Sequence, residues 1–419
     1  MTGARLWRAG KEKEMRKQSK SRIFFILAVF FLSSCVSKTV QIINSDEVVI
    51  NNYTKSTIPF SMRVHEILIK VRLNDSQKEY LFILDTGAMT LIRREVAEEL
   101  GLIKRTDIRI TGASGTTKSI DLVSLYRVMA GDMEIRDCAA SVTDFPGFLP
   151  QDVAGFLGSN FLRHFIVTID YKGKAITLSR ETQHADAPPE TIKIPIEMEM
   201  RNSYAPGVTC TIDGRIKGTA LIDTGFQGIA SIPLPMAKKT EAFRTGNAVG
   251  AKGSVSGGFF SRSKETYAFR IDELEVGNIA LNDIPAVTHH SKNKCLYLGK
   301  RFLEKYLVTI DYPGQYLYLV PNGEQFETNL PSYGMAMRRD KNKIVVSGIW
   351  DHSSASKCGI KVGDEIKTVN AVDVKELSST EIREMVSDEK ADTIEVEFIN
   401  EKGRQAVHLR KEMLLPAVD

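Results

Sequence analysis

The feature that most constrains the fold of this 419-residue chain is an internal repeat. Residues 82–87, Phe-Ile-Leu-Asp-Thr-Gly, recur 138 residues later as Ala-Leu-Ile-Asp-Thr-Gly at 220–225. Residues 157–171 recur 141 residues later at 298–312, and both copies begin with Leu-Gly and end with Thr-Ile-Asp-Tyr. Two motifs in the same order at nearly the same spacing predict a duplicated domain, with a first repeat near 57–182 and a second near 190–321. Two copies are too few for a solenoid and favour a pseudo-symmetric pair.

Each repeat is predicted to be mainly β. Stretches such as 66–73, 192–198 and 316–320 are short, rich in β-branched or aromatic residues, and bounded by Gly, Pro, Asn or Asp. Residues 92–100, followed by Gly101, predict one short helix after the first Asp-Thr-Gly. Hydrophobic residues make up 42% of the chain and charged residues 26%, which excludes a disordered protein.

The N-terminus carries a targeting signal. A basic stretch at 16–22 precedes an apolar run at 23–32, which is too short to span a bilayer and fits the core of a signal peptide. The run ends in Leu-Ser-Ser followed by Cys35. We therefore predict a signal peptide over 1–34 and a polar tether over 35–56. An uncleaved anchor helix is the alternative.

The Leu-Ser-Ser-Cys succession resembles a bacterial lipobox, which implies that the thiol of Cys35 receives a diacylglycerol. The mature protein is then expected on the extracytoplasmic, periplasmic side of a bacterial cell envelope, bound to the membrane by this lipid. Met15 is the more natural start of such a signal, so residues 1–14 are expected to be an over-extended reading frame. The formal net charge is +4, but residues 1–34 hold eight basic and two acidic side chains, so the remainder is nearly neutral. This leaves no electrostatic case for nucleic acid.

No metal or cofactor is predicted. Four further cysteines are isolated from one another and from histidines at ligand spacing: Cys138, Cys210, Cys295 and Cys358. An exported protein permits disulfides, but this spacing does not demand one, and free thiols are expected. The pair His289-His290 has no third ligand placed by the sequence and is expected in a solvated loop.

The repeated Asp85 and Asp223 indicate acid–base chemistry. Water can cleave a peptide bond without a metal if one carboxylate takes a proton from the water while a second, protonated carboxyl polarises the carbonyl. Two carboxyls held close together cannot both ionise cheaply, so the pair keeps one shared proton. Gly87 and Gly225 lack side chains and let the backbone turn tightly beside the carboxyls.

Residues 57–321 resemble the aspartic peptidases of the retropepsin and pepsin type, in which each lobe supplies one Asp-Thr-Gly and a later apolar-apolar-Gly brace. Residues 156–158 and 297–299 stand where these braces belong. The resemblance implies two tandem β-barrel lobes, at 57–185 and 186–322, that form a pseudo-dimer around one site.

In that site Asp85 and Asp223 would be catalytic, and Thr86 and Thr224 would hydrogen-bond across the lobe boundary. Gly-rich hairpins would form flaps over the substrate, with their glycines at Gly112, Gly115, Gly253 and Gly257. The family has a small or hydroxyl residue after each Asp-Thr-Gly. Ala88 fits this pattern and Phe226 departs from it, so Asp223 is expected in a drier setting with a raised pKa.

The C-terminal residues 325–412 resemble a PDZ domain. The resemblance rests on Ser354-Ala355, on the run 358–366, Cys-Gly-Ile-Lys-Val-Gly-Asp-Glu-Ile, and on Val369-Asn370. It implies an α+β domain that binds peptide C-termini, with the carboxylate held by backbone N–H groups at Tyr333, Gly334 and Met335. A helix is predicted near 379–386, capped by Ser379 or Thr380. The alternative is a PDZ-shaped domain that only packs on the lobes.

Together these features predict a lipid-anchored aspartic endopeptidase that acts on proteins or peptides. It is expected to be a monomer, because the internal pairing of two unlike lobes is simpler than pairing with another copy of the chain. The alternative from a different class is a non-catalytic peptide-binding lipoprotein that uses the same groove.

Overall fold

The structure is a computed structural model that describes residues 38–112, 115–147, 149–181, 188–199, 203–255, 265–290, 295–327, 329–387 and 391–415. The signal segment 1–34, Cys35 and Gly257 lie outside these residues. The prediction of a mainly β protein is confirmed. The helices are short: Arg94–Glu99, Ser159–Leu162, Leu234–Ala237, Glu241–Arg244, Lys300–Leu303, Ser354–Lys357 and Ser379–Ser387, with a further helical turn at 38–43.

Twelve strands are described in the first half of the chain: β1 (Glu47–Val48), β2 (Lys55–Pro59), β3 (Ser61–Arg63), β4 (Glu66–Leu73), β5 (Glu79–Asp85), β6 (Leu91–Arg93), β7 (Thr106–Thr111), β8 (Thr117–Ala130), β9 (Met133–Thr143), β10 (Val153–Gly158), β11 (Ile166–Asp170) and β12 (Ala175–Ser179). Most of them join one sheet in the order β1-β9-β6-β10-β5-β4-β8-β7. The long neighbouring strands β8 and β9 are joined by the two-residue turn Gly131-Asp132, in which Gly131 has φ +58°.

The second repeat has a corresponding strand arrangement. Its strands are β13 (Ile192–Pro195), β14 (Glu197–Glu199), β15 (Ala205–Ile212), β16 (Ile216–Ile222), β17 (Ala230–Pro233), β18 (Val249–Gly253), β19 (Thr266–Val276), β20 (Ile279–His289), β21 (Cys295–Leu298), β22 (Tyr306–Asp311) and β23 (Tyr316–Pro321). The long hairpin β19–β20 also turns at a two-residue loop, Gly277-Asn278, and β21 runs parallel to β16 as β10 runs parallel to β5.

A six-stranded sheet joins the two repeats, in the order β13-β23-β22-β11-β12-β2. At its centre β11 and β22, the two copies of the same sequence motif, pair antiparallel, with Thr168 opposite Thr309. The inward side chains of both repeats belong to one continuous hydrophobic core, which includes Phe161, Phe165 and Phe302. The duplicated segments therefore pack on each other within one chain.

The C-terminal region has a hydrophobic core of its own, built around Ile344, Ile366, Ile382 and Phe398. Its helix Ser379–Ser387 begins with a capping box, in which Glu381 N–H donates to Ser378 Oγ and Ser378 N–H donates to Glu381 Oε2. The cap is thus Ser378 rather than the predicted Ser379 or Thr380. The strands are β24 (Pro331–Ser332), β25 (Met335–Asp340), β26 (Lys343–Trp350), β27 (Glu365–Val369), β28 (Val372–Asp373), β29 (Thr393–Asn400), β30 (Gly403–Arg410) and β31 (Glu412–Met413).

The C-terminal region and the second repeat share one sheet, because β26 pairs with β18. Ser254 N–H also donates to the Ser347 carbonyl over 2.7 Å, and Asp351 N–H donates to the Gly250 carbonyl over 2.9 Å. Trp350 packs beside this junction with Ala268. The two regions are therefore joined by backbone hydrogen bonds as well as by apolar contact.

The segment expected to be a polar tether packs on the first repeat over 38–48. Ile43 is buried among residues that include Met89 and Leu91, and β1 pairs with β9. Asp46 is buried and accepts hydrogen bonds from Arg163, over 2.5 Å. The expectation overlooked Ile43 because the segment is mostly polar with little overall periodicity, although it also contains Val40 and Ile42. Among the described residues no helix is long and apolar enough to cross a membrane.

Candidate active site

Both Asp-Thr-Gly loops follow buried strands that are braced by a parallel neighbour. Asp85 ends β5, and β10 runs parallel to β5 with Gly158 opposite Asp85. In the second repeat β21 runs parallel to β16 with Leu298 opposite Ile222, and Asp223 N–H donates to the Leu298 carbonyl over 2.9 Å. The segments 156–158 and 297–299 thus lie beside the Asp-bearing strands, where the sequence predicts braces.

Thr86 and Thr224 interlock the two loops through four buried hydrogen bonds. Thr86 N–H donates to Thr224 Oγ1, and Thr224 N–H donates to Thr86 Oγ1, each over 3.0 Å. Each hydroxyl also donates to a carbonyl of the other repeat: Thr86 to Ile222 over 2.6 Å, and Thr224 to Leu84 over 2.9 Å. Because every one of these bonds crosses between the repeats, they hold the two loops in a fixed mutual position.

The two carboxyls meet at this crossing. A Cβ atom placed on Gly87 would lie 2.5 Å from Asp223 Cγ, and one placed on Gly225 would lie 2.7 Å from Asp85 Oδ2. Real Cβ atoms do not approach other atoms so closely, so only glycine leaves room for the carboxyl of the opposite loop. Both aspartates are half-buried, and each accepts a 2.9 Å hydrogen bond from the N–H of the glycine two residues later.

The environment favours a shared proton on this pair. Burial raises the pKa of Asp85 well above its ordinary range, and the negative charge of Asp223 raises it further. Burial also raises the pKa of Asp223, to about 6, against the lowering effect of the N–H groups of Gly225 and Phe226. The pair is therefore expected to hold one proton while its other carboxyl is ionised.

Phe226, the departure from the family pattern, has its ring against Gly228 and Gly299. A Cβ on Gly228 would lie 2.6 Å from the tip of the ring, and a Cβ on Gly299 would lie 2.5 Å from its edge. The backbone N–H of Phe226 donates to Asp223 Oδ1 over 3.2 Å. The residue thus supports Asp223 through its backbone, while its ring covers two glycines.

The two hairpins expected to be flaps have different surroundings. The first, β7–β8, closes around Gly112 and Gly115, where Gly115 N–H donates to the Gly112 carbonyl over 2.8 Å. The second, β18–β19, contains Gly253 and is held along β18 by the C-terminal strand β26. The first hairpin has no such partner from the C-terminal region among the described residues.

The C-terminal region also contacts the first repeat next to the site. Arg383, in the helix Ser379–Ser387, donates to Glu66 Oε1 over 2.8 Å. Gln227, two residues after the second Asp-Thr-Gly, donates to the same oxygen over 3.4 Å. Glu66 therefore links the first repeat, the loop after Asp223 and the C-terminal region.

The predicted peptide-binding residues lie where β24 leads into β25. Tyr333 is buried and its hydroxyl donates to the Ala391 carbonyl over 2.6 Å. Gly334 N–H donates to Ser332 Oγ, and Met335 begins β25, which pairs only with β26 among the described strands. The other edge of β25 is consequently open to an added strand.

Histidine and cysteine side chains are dispersed. His289 ends β20 as a buried residue, with Nδ1 2.8 Å from Ser231 Oγ, so it does not lie in the expected solvated loop. Cys138, Cys210 and Cys358 carry free thiols. In the described part of the chain no group of three or more His, Cys, Asp or Glu is placed to hold a metal ion.

Sequence reasoning missed two hydroxyl residues beside Asp85. Ser159 Oγ donates to the Thr86 carbonyl over 2.7 Å and lies 2.8 Å from the Tyr312 hydroxyl. Both residues lie inside the repeated motif, where Lys300 replaces Ser159 and Tyr171 corresponds to Tyr312. The available signal in the sequence was the serine, Ser159, that directly follows the brace glycine Gly158.

Residues 69–161 match the family model described as aspartyl protease. This segment contains the first Asp-Thr-Gly, the first hairpin and the first brace. Among solved structures, an aspartic proteinase from Irpex lacteus is 14% identical over 64% of this chain and 98% of its own, with a TM-score of 0.42. Basic 7S globulin from soybean is 12% identical over 64% of this chain and 95% of its own, with a TM-score of 0.38. No curated protein matches the sequence.

Proposed function

We propose that the chain is an aspartic endopeptidase in which Asp85 and Asp223 form one catalytic site. The observation that carries this proposal is the interlock of the two Asp-Thr-Gly loops, which sets each carboxyl against the glycine of the opposite loop. The aspartyl protease family match over 69–161 supports the same chemistry for the first repeat.

In the proposed reaction the ionised Asp223 takes a proton from the attacking water, and the protonated Asp85 donates its proton to the carbonyl oxygen of the substrate. The water oxygen bonds to the carbonyl carbon, which gives a tetrahedral diol. Asp223 then passes the proton that it took from the water to the amide nitrogen, while the ionised Asp85 takes a proton from one diol hydroxyl. The C–N bond breaks, two peptides are released, and the two carboxyls return to their starting protonation. The half-buried carboxyls favour this sequence, because desolvation keeps one of them protonated while both remain open to a substrate.

The C-terminal region is proposed to be a PDZ-like domain that binds peptide C-termini. The open edge of β25 supports strand addition, in which backbone hydrogen bonds supply affinity. The pairing of β26 with β18 supports a second role, which is to hold the second hairpin in place.

The protein is proposed to be a monomeric, lipid-anchored protein of the bacterial cell envelope on the extracytoplasmic side, with the lipid on Cys35. Residues 38–48 pack on the first repeat, so Cys35 stands three residues from the folded body. Three extended residues reach about 10 Å. A lipid on Cys35 would therefore hold the catalytic body at the membrane surface rather than on a long tether.

A direct test incubates the full chain with an unfolded protein between pH 3 and pH 8 and identifies the products by mass spectrometry. Internal cleavage by the wild type and none by Asp85→Asn is expected. The alternative function, non-catalytic peptide binding, predicts that the wild type binds the unfolded protein without producing fragments.

A further inference from the structure

A chain of buried hydroxyl groups connects the second repeat to the loop that carries Asp85. The Tyr312 hydroxyl lies 2.8 Å from Ser159 Oγ, and Ser159 Oγ donates to the Thr86 carbonyl over 2.7 Å. Ser159 is 0% exposed and Tyr312 is 1% exposed. A serine hydroxyl has one hydrogen, and Ser159 uses it on Thr86. Tyr312 must therefore be the donor in its bond with Ser159.

The peptide group between Thr86 and Gly87 links these hydrogen-bonded hydroxyls to the Asp85 carboxyl. Its carbonyl accepts from Ser159, and its N–H, which belongs to Gly87, donates to Asp85 Oδ1 over 2.9 Å. Hydrogen bonds in series polarise one another, so a donor at the carbonyl makes the N–H a stronger donor. The ionised form of Asp85 is thus stabilised by Ser159 and Tyr312, although neither side chain bonds to its carboxyl.

The second repeat lacks the corresponding chain. Lys300 stands at the position of Ser159, and its ammonium pairs with Glu304. Tyr171 corresponds to Tyr312, but its buried hydroxyl oxygen has no hydrogen-bond partner in the described part of the chain. The N–H of Gly225 donates to Asp223 without this reinforcement. Two carboxyls that the repeat would make equivalent therefore receive different support.

The charge of Asp223 raises the pKa of the Asp85 carboxyl, and the charge of Asp85 in turn raises the pKa of Tyr312. Burial raises the pKa of Tyr312, so its hydroxyl stays protonated and remains a donor at every pH where the protein is expected to work.

We propose that Ser159 and Tyr312 are positioning residues that hold the Asp85 loop and set how Asp85 and Asp223 share their proton. They act through the peptide group of Thr86 and Gly87 and are not catalytic residues, because neither side chain bonds to the Asp85 carboxyl. This inference rests on the proposed peptidase function, in which the pair works with one proton.

The matched test compares Tyr312→Phe with Tyr171→Phe in the full chain. Each variant removes one buried tyrosine hydroxyl, but only Tyr312 belongs to a hydrogen-bonded chain. Tyr312→Phe should move the alkaline limb of the pH profile of kcat/KM upward by roughly half a pH unit. It should also lower kcat about three- to tenfold with KM nearly unchanged. Tyr171→Phe should reproduce the wild-type profile, and equal profiles for the two variants would overturn the proposal.

A second measurement determines the pKa values of the two carboxyls in the absence of substrate. In protein labelled with 13C at the aspartate carboxyl carbon, Ser159→Ala should raise the pKa of Asp85, and Ser159→Thr should restore it. If Ser159→Ala leaves the titration of Asp85 unchanged and the wild type cleaves peptides, this inference is overturned and the proposed function stands. If the Ser159 variants shift the titration as expected but the wild type cleaves no peptide, only the proposed function is overturned.

Discussion

Replacing Thr86 by valine tests whether the two Asp-Thr-Gly loops depend on each other. Valine has the shape of threonine without its hydroxyl, so the packing of this fully buried side chain is kept. The hydroxyl accepts from Thr224 N–H over 3.0 Å and donates to the Ile222 carbonyl over 2.6 Å. The substitution therefore removes both bonds and leaves two buried backbone groups unpaired.

The magnitude follows from these two groups. An unpaired buried donor or acceptor costs roughly 1–3 kcal/mol, so Thr86→Val should lower the free energy of unfolding by about 2–6 kcal/mol. Thr86→Ser keeps the hydroxyl and loses one methyl group, which should cost about 1 kcal/mol. Both values can be measured by urea-induced unfolding followed by circular dichroism.

The chain offers a matched control in a second threonine pair between the repeats. Thr168 Oγ1 lies 2.9 Å from Thr309 Oγ1 in the six-stranded sheet, where both side chains are half-buried and water can replace a lost hydroxyl. Thr168→Val should therefore cost less than about 1 kcal/mol. If Thr86→Val and Thr168→Val destabilise the protein equally, the interlock is not what holds the two loops together.

Three further predictions concern the carboxyl pair, the C-terminal region and the N-terminus. Raised pKa values in the folded state mean that the folded protein binds more protons than the unfolded chain from about pH 4 to above pH 6, because Asp223 has a pKa of about 6 and the pKa of Asp85 is raised well above its ordinary range. The stability of the protein therefore falls as the pH rises through this window. A variant with asparagine at both Asp85 and Asp223 should thus be more stable than the wild type by roughly 2 kcal/mol at pH 7.5 and nearly equal to it at pH 3 in thermal unfolding; an equal gain at both pH values would contradict this. Gly348→Val places a Cβ 2.4 Å from the Ser254 carbonyl carbon and should separate β26 from β18, which should lower kcat/KM even for a short blocked peptide; full activity on that peptide would show that β26 does not hold the second hairpin. Cys35→Ser should abolish labelling by a fatty-acid analogue and release the protein from membranes, whereas a variant that stays bound with residues 1–34 attached indicates a plain anchor.

The repeat made the main features of the site predictable. Because Asp85 and Asp223 follow equivalent strands, a pseudo-symmetric pairing of the repeats brings them together without any knowledge of the intervening chain. The brace segments were predictable for the same reason, since a parallel neighbour recurs beside each Asp-bearing strand. Structural features that occur in both repeats are the ones that can be predicted best from a single sequence.

Contacts that break the symmetry were not predictable. Tyr312 meets Ser159 across 153 residues, and Arg383 meets Glu66 across 317 residues. Neither pair has a periodic pattern or a counterpart in the other repeat, and each depends on the mutual placement of whole sheets. The pairing of β18 with β26 was missed because Gly-rich sequence at 250–258 fits a free hairpin as well as a paired strand.

The packing of the N-terminal segment 38–48 on the first repeat was also not predictable from the sequence. Residues 38–48 are polar enough to predict a tether, yet Ile43 enters an apolar cluster and Asp46 is enclosed by Arg163 and His164. A buried ion pair between distant residues leaves no signal in either local sequence. How much of the N-terminal segment packs on the first repeat is therefore a property of the folded structure that composition alone does not report.

The most direct test of a single two-carboxyl site is a double-mutant comparison of peptidase activity. Asp85→Asn, Asp223→Asn and the double variant are assayed on one peptide substrate at the pH optimum of the wild type. Residues that act as one unit are strongly non-additive, so each single variant should lose at least about a thousandfold in kcat and the double variant should lose little more. Single variants that each keep about half of the activity would instead indicate two independent sites and contradict the account.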